Sequence, residues 1–287
     1  MEFLTLLIVL GLLQWWGSGG PLHRDDWYYR WQEVVSDKIH SSPMVLLAVA
    51  VVPGVLVVVL QALFDTLLFG VFSLALYVLI LLFSLGRGDF SAKLQEYLSF
   101  WDDGNLESAY EKANGIGDFH PSDAIEDPVS LHDHVRKTIM YEGYERWFAV
   151  VFWFMLLGPA ACLVYRLCQL AARDDSARSQ DQQLAIQVVY YLDWLPARLL
   201  VFSFTLTGNF VHCINRCWQI AFDELPIAQL LDSCGVAAIS GFHESNARPT
   251  ETERFIEYAR AELLALQSLL SRSVVCWLMV IAVLQFF

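Results

Sequence analysis

Two clusters of ionisable residues abut apolar stretches, and either has the composition of a binding or proton-transfer site. In the first, Glu142, Glu145 and Arg146 stand immediately before Trp147. Carboxylates that face a cavity at the edge of an apolar phase can exchange protons or hold a cation. In the second, Asp193-Trp194-Leu195-Pro196-Ala197-Arg198 opens a further apolar run. An arginine turned inward there, with Asp193 nearby, suits a ligand carboxylate or phosphate, because a guanidinium presents paired donors to paired oxygens. Tyr165-Arg166, at the end of the stretch that Trp147 begins, poses the same question.

Each cluster also has a plainer reading. Glu142 and Arg146 are four residues apart, so on a helix they form a surface ion pair of ~0.3–0.5 kcal/mol, with Trp147 at the headgroup level. Asp193 can cap a helix that Pro196 helps to start, with Trp194 as anchor and Arg198 snorkelling to water. Tyr165-Arg166 reads as a further anchor. The candidate ligand-binding set is therefore Glu142, Glu145, Arg146, Arg166, Asp193, Trp194 and Arg198.

Other chemistries find less support. No glycine-rich loop ends in Lys-Ser or Lys-Thr, and Gly115-x-Gly117 lacks both the third glycine and a preceding strand, so a Walker-type nucleotide site is rejected. No Gly-x-Ser-x-Gly elbow occurs. The six cysteines, Cys162, Cys168, Cys213, Cys217, Cys234 and Cys276, lie in or beside apolar segments and read as reduced, packed side chains. His212, Cys213 and Cys217 invite a metal reading because residues four apart share a helix face, but one face supplies too few ligands and no second pair is present. His132 and His134 flank Asp133 on a predicted helix and read as solvated. No catalytic or metal-ligating residue is assigned, and no cofactor is expected.

The elements that must position these residues follow from composition. Of 287 residues, 56% are hydrophobic and only 17% charged, which does not suit a water-soluble surface. Eighteen basic against 31 acidic residues give a formal net charge of −13, which disfavours nucleic acid as a partner. A helix needs ~20 apolar residues to cross the hydrocarbon. Runs at 44–64, 67–85 and 147–165 meet that requirement, with Gln61 the strongly polar residue of the first, and Tyr77 with two serines the polar content of the second. Runs at 3–16 and 273–287 are shorter, and the polar-diluted run at 199–215 either spans, re-enters or lies at the interface. The expectation is an all-α, polytopic integral membrane protein in contact with the lipid bilayer.

Arg24, Arg30, Lys38, Arg87, Lys93, Arg136, Lys137 and Arg146 fall on one side of a hairpin formed by the runs 44–64 and 67–85, which makes that side cytoplasmic. Arg166, Arg173, Arg178 and Arg198 fall opposite if the run 147–165 crosses once. The hydrophilic region 86–146, with six basic and thirteen acidic residues, reads as a small helical cytoplasmic appendage. Within it a helix from Leu106 stops at Asn114-Gly115, a loop follows from Asp118, and a second helix runs from Val129 into the apolar stretch at Trp147. Residues 172–183 read as a polar connector. Thr250 and Glu253 form a capping box for a late helix whose stripe is Ile256, Ala259, Leu263, Leu266 and Leu270.

Taken with their neighbours, the two clusters carry a resemblance. Glu145-Arg146-Trp147-Phe148-Ala149-Val150-Val151-Phe152-Trp153-Phe154 runs into Leu157-Gly158-Pro159, then Tyr165-Arg166, then Leu192-Asp193-Trp194-Leu195-Pro196-Ala197-Arg198-Leu199. In order and spacing this resembles the AmpE family over essentially the full chain. The resemblance implies a single multi-pass domain, 1–287, in the bacterial inner membrane, with a regulatory or sensing role linked to β-lactamase induction and peptidoglycan recycling. It also implies a muropeptide or other small molecule as ligand.

AmpE is similar in turn to the membrane-bound adenosylcobinamide-phosphate synthases. Gly104-Asn105-Leu106-Glu107-Ser108-Ala109 looks like their Gly-Asp-Leu-Glu-x-Ala helix, and Trp194-Leu195-Pro196-Ala197-Arg198 like their Trp-Ile-Pro-Ala-Arg. The alternative function is accordingly an ATP-dependent, amide-forming membrane ligase. Against it, Leu167-Cys168-Gln169-Leu170-Ala171 replaces the synthases' Asn-Thr-Leu-Asp-Ser-Met segment, and Gly241-Phe242-His243-Glu244-Ser245 stands where they carry His-Pro-Ser-Pro-Asn.

Overall fold

A computed structural model describes residues 1–16, 25–64, 70–85, 90–113, 116–117, 127–174, 177–245 and 252–286. Among the described residues the regular secondary structure is helical, as the all-α expectation requires. In chain order the helices are α1 (Glu2–Trp16), α2 (Asp26–Lys38), α3 (Ser42–Leu46), α4 (Val52–Phe64), α5 (Val71–Ser84), α6 (Phe90–Asp102), α7 (Leu106–Ala113) and α8 (Pro128–Gly143). They continue with α9 (Val150–Leu157), α10 (Pro159–Ala172), α11 (Ser179–Thr207), α12 (Phe210–Ile220), α13 (Ile227–Ala238), α14 (Ser240–Ser245) and α15 (Thr252–Phe286). One π turn, Leu47–Val51, joins α3 to α4, and another, Tyr144–Ala149, joins α8 to α9.

Among the described residues three helical stretches are long and apolar enough to cross a membrane: Ser42–Phe64, Ser179–Thr207 and Arg254–Gln285. The first matches the run at 44–64. The second begins well before residue 199, so residues 179–183 of the expected connector are already helix, and it ends at Gly208-Asn209, which divides the run 199–215. The third absorbs residues 273–286 of the run 273–287 into one 35-residue helix that begins at Thr252. The Thr250 half of the expected capping box and the loop from Asp118 lie outside the described residues.

Pro196 sits inside α11 rather than starting a helix, so Asp193 is no N-cap there. A proline removes one donor and crowds the preceding turn, a defect that apolar surroundings tolerate when neighbouring groups satisfy the freed carbonyl. The run 147–165 is likewise no single rod. It breaks at Gly158, whose φ of +84° only glycine adopts without strain, and α9 and α10 pack against one another across that break.

The chain forms two compact units: Met1–Gly88 with Ala149–Trp194, and Asp89–Phe148 with Leu195–Phe287. In the first, α10 is the hub and packs on α4, α5 and α9. Its core joins Tyr28, Val49, Val57, Leu163, Leu167 and Ala185. Gly54 allows close approach, since a Cβ there would stand 2.5 Å from Val164 Cγ2. One polar residue of each helix meets the other: Gln61 Nε2 on α4 donates to Tyr77 Oη on α5 at 2.5 Å. In an apolar phase such a bond has no competing water.

α2 is tied by three bonds to the last turns of α10 and to the segment that leads from it into α11. Tyr28 Oη donates to the Leu167 carbonyl at 3.1 Å, Gln32 Nε2 to Asp174 Oδ2 at 2.6 Å, and Arg178 Nη2 to the Ser36 carbonyl at 2.7 Å. Arg178 therefore lies at the Lys38 end of α2, which corrects its expected placement on the opposite side.

The second unit is built on α6, α8, α13 and α15. Tyr97, Trp101, Leu131, Val135, Ile139, Phe255, Ala259 and Leu263 share its core, and Trp101 Nε1 donates to the Ile256 carbonyl at 3.1 Å. Ala259, Leu263, Leu266 and Leu270 of the expected stripe are buried, while Ile256 is partly so. α7 starts where expected, with Asn105 Oδ1 accepting from the Ser108 amide at 3.1 Å.

Candidate functional site

α8 carries two ionic groups of the second unit, one expected from sequence and one not. The expected group is at its C-terminal end. Arg146 Nε donates to Glu142 Oε2 at 2.8 Å, and both side chains are withdrawn from solvent, at 12% and 3% exposure. The pair is thus buried and not the surface pair that the four-residue spacing suggested. Burial changes its energetics, because two desolvated charges that lose a partner cost several kcal/mol rather than tenths.

Glu145 is also buried. Lys93 on α6 lies within electrostatic reach: burial and then the Arg146 charge pull its pKa below the ordinary lysine value, and Glu142 opposes them. The turn at Ile116-Gly117 closes over this group. Gly117 has no room for a Cβ, which would stand 2.6 Å from Thr138 Cγ2 and 3.0 Å from the Glu142 side chain.

The unexpected group lies two turns earlier. His132 Nε2 is 2.5 Å from Glu262 Oε2 on α15, and the histidine is fully buried. Its solvated reading is therefore overturned. Arg136 donates from Nε to Asp232 Oδ1 at 2.7 Å and from Nη2 to Asp232 Oδ2 at 3.1 Å, a bidentate clasp onto α13. Its Nη1 reaches Asp133 Oδ1 at 3.1 Å and lies 3.6 Å from Glu262 Oε1. Burial alone would weaken the basicity of Arg136. The Asp232 hydrogen bonds, then the charges of Asp232, Glu262 and Asp133, more than reverse this and hold the guanidinium charged.

The sequence held a signal for this network. Asp232 is the lone charge of α13, and Glu262 interrupts the apolar stripe of α15. A charge on a face that must be buried calls for a partner. Periodicity alone does not say which helix supplies it.

The remaining candidates divide between the units. In the first, Tyr165 Oη donates to Asp193 Oδ1 at 2.6 Å and Arg166 Nη1 to Gln169 Oε1 at 3.0 Å. Tyr165, Arg166 and Asp193 are all buried, so Tyr165-Arg166 is part of the interior and no surface anchor. Trp194 is 39% exposed, as an anchoring residue would be. In the second unit, Arg198 Nε donates to the Ala221 carbonyl at 2.5 Å, binding α11 to the end of α12.

Five of the six cysteines are buried and all six are free thiols. Cys213 and Cys217 face inward with sulfurs 3.5 Å apart, whereas His212 is exposed. Among the described residues no three metal-ligating side chains converge.

Arrangements of this kind, charged side chains paired inside helical units, suit a protein that holds or changes a conformation. Comparison with known families decides the matter. Residues 1–284 match the family model of the regulatory signalling modulator protein AmpE. The chain belongs to the AmpE family. Curated proteins and solved structures give no match. The AmpE match covers both units and both ionic groups of α8, and it supports a regulatory role for a protein with candidate membrane-crossing helices.

Proposed function

We propose that this AmpE-family chain is a multi-pass protein of the bacterial inner membrane that senses a small molecule and modulates β-lactamase induction, in step with peptidoglycan recycling. The observation that carries the reading is the family match over residues 1–284. Three apolar helices of membrane-crossing length among the described residues support a membrane location. The ligand class is the muropeptide, whose amine and carboxylate groups complement paired acids and bases. Glu142, Glu145 and Arg146 with Lys93 are the best candidates to read such a ligand, because an ion pair that exchanges one partner for a ligand group changes the packing it holds. Arg166, Asp193, Trp194 and Arg198 are secondary candidates. Residues 86–146 face the cytoplasm in this reading.

The test is induction by a β-lactam in cells that make the protein or lack it, together with thermal stability of the purified full chain in the presence of muropeptides, nucleotides or corrinoids. A ligand that binds the native state raises its apparent stability. Stabilisation by muropeptides that is lost in Glu145→Ala, with altered induction at equal abundance, is the expected result. Unchanged induction in cells lacking the protein overturns the reading.

A further inference from the structure

The surface of α12 is divided into three sectors by what each faces. With about 100° between successive residues, Cys213, Cys217 and Ile220 form one contiguous sector, and these are the residues buried against the second unit. Next around the helix come Asn215, Gln219, His212 and Arg216, all exposed and all polar. The third sector is Phe210, Ile214, Trp218 and Val211. Trp218 is 76% exposed, Val211 61% and Phe210 55%, and Phe222 just beyond the helix is 74% exposed.

A helix packed on a protein and otherwise bathed in water has no reason to segregate its exposed positions into an apolar and a polar arc. One at the edge of a bilayer has that reason, with protein on one side, acyl chains on another and water or headgroups on the third.

Two observations select lipid as the occupant of the apolar arc. First, α11, which leads directly into α12, itself turns apolar side chains outward: Leu199, Phe202 and Leu206 are 42%, 56% and 57% exposed within a helix apolar and long enough to cross a membrane. Gly208-Asn209 then separates α11 from α12. Asn209 caps α12 through the His212 amide and donates its own amide to the Ala238 carbonyl at 2.7 Å. Second, α12 is fixed at both ends, by Asn209 at one and by Arg198 on the Ala221 carbonyl at the other. At 11 residues it spans ~16 Å, about half the hydrocarbon thickness, so it cannot cross.

We propose that α12 is an interfacial helix that inserts Phe210, Val211, Trp218 and Phe222 into the acyl region of the bilayer while Arg216, His212, Asn215 and Gln219 face headgroups and water. The partner is the lipid surface, engaged by apolar insertion and not by charge, since Arg216 is followed closely by Asp223 and Glu224.

The test uses the full chain with Cys276, the one cysteine that is not buried, replaced by serine, reconstituted in vesicles of phosphatidylethanolamine and phosphatidylglycerol. Spin labels are placed one at a time at Trp218→Cys, Val211→Cys and Gln219→Cys, with Met279→Cys on the exposed side of α15 as the bilayer reference. Labels at 218, 211 and 279 are expected to collide several-fold more with oxygen than with a water-soluble nickel chelate, and the label at 219 the reverse. If 279 reports lipid while 218 and 211 report water, α12 is not inserted and the proposal fails with the membrane reading intact. If 218 and 211 are shielded from both reagents and show spin-spin broadening, a second copy covers the arc and the proposal is likewise overturned. If 279 itself reports water, both readings fall.

Discussion

His132 Nε2 lies 2.5 Å from Glu262 Oε2, and neither side chain reaches solvent. The contact joins α8 to α15, the helix that continues into the C-terminal apolar stretch, and Arg136 extends it to α13 through Asp232. Three helices of the second unit thus share one ionic knot. Buried charges of this sort are costly to expose singly, which makes the knot a place where one substitution has an outsized effect.

Arg136→Met leaves Asp232 and Glu262 buried without their shared cation, and a loss of ~3–5 kcal/mol is expected for breaking a buried pair from one side. Arg260→Ala, which breaks the solvent-exposed pair with Asp102, is expected to cost less than ~1 kcal/mol. Unfolding of the two variants in detergent, followed by circular dichroism, compares them directly. Equal effects would show that the Arg136 network is no more demanding than a surface pair.

Lys93 supplies a pH dependence. Its folded pKa is lowered from 10.5 by burial, then by Arg146, against Glu142. Between the lowered value and 10.5 the unfolded chain holds more protons than the folded one, so this group makes stability rise with pH over that window. Below the window the charged ammonium destabilises the fold. Lys93→Met should therefore raise the melting temperature at neutral pH and remove part of the alkaline gain. A melting temperature that falls at neutral pH would refute this assignment.

Gly54→Ala places a methyl group 2.5 Å from Val164 Cγ2 at the α4 to α10 contact. Overpacking of this kind costs ~1–3 kcal/mol. Val164→Ala in the same chain should recover most of the loss, because it removes the atom in the way. Independent, additive losses in the double variant would argue that the two helices do not meet there.

Gln61→Leu and Tyr77→Phe each remove one side of the bond between α4 and α5. A double-variant cycle on unfolding is expected to give a coupling of ~0.6–2 kcal/mol, the range for polar contacts between helices in an apolar phase. Zero coupling would mean that the two groups do not bond in the bilayer.

Composition and run length determined the helical class and the presence of apolar helices of membrane length, because those properties are sums over many residues and do not depend on which helix meets which; the family resemblance was legible in the order and spacing of short motifs such as Tyr165-Arg166 and Trp194-Leu195-Pro196-Ala197-Arg198. The start of α7 at Leu106 and the inward stripe of α15 were legible because local periodicity and capping act within a few residues, while the expected stop at Asn114-Gly115 lies outside the described residues. Tertiary structure decided the rest. It turned Glu142 and Arg146 from a surface pair into a buried one, took His132 out of water to meet Glu262, and paired Gln61 with Tyr77, since burial depends on partners 16 to 130 residues away along the chain. It also kept Pro196 inside α11, where packing against neighbouring helices outweighs propensity, whereas the break of the run 147–165 at Gly158 follows from the glycine itself.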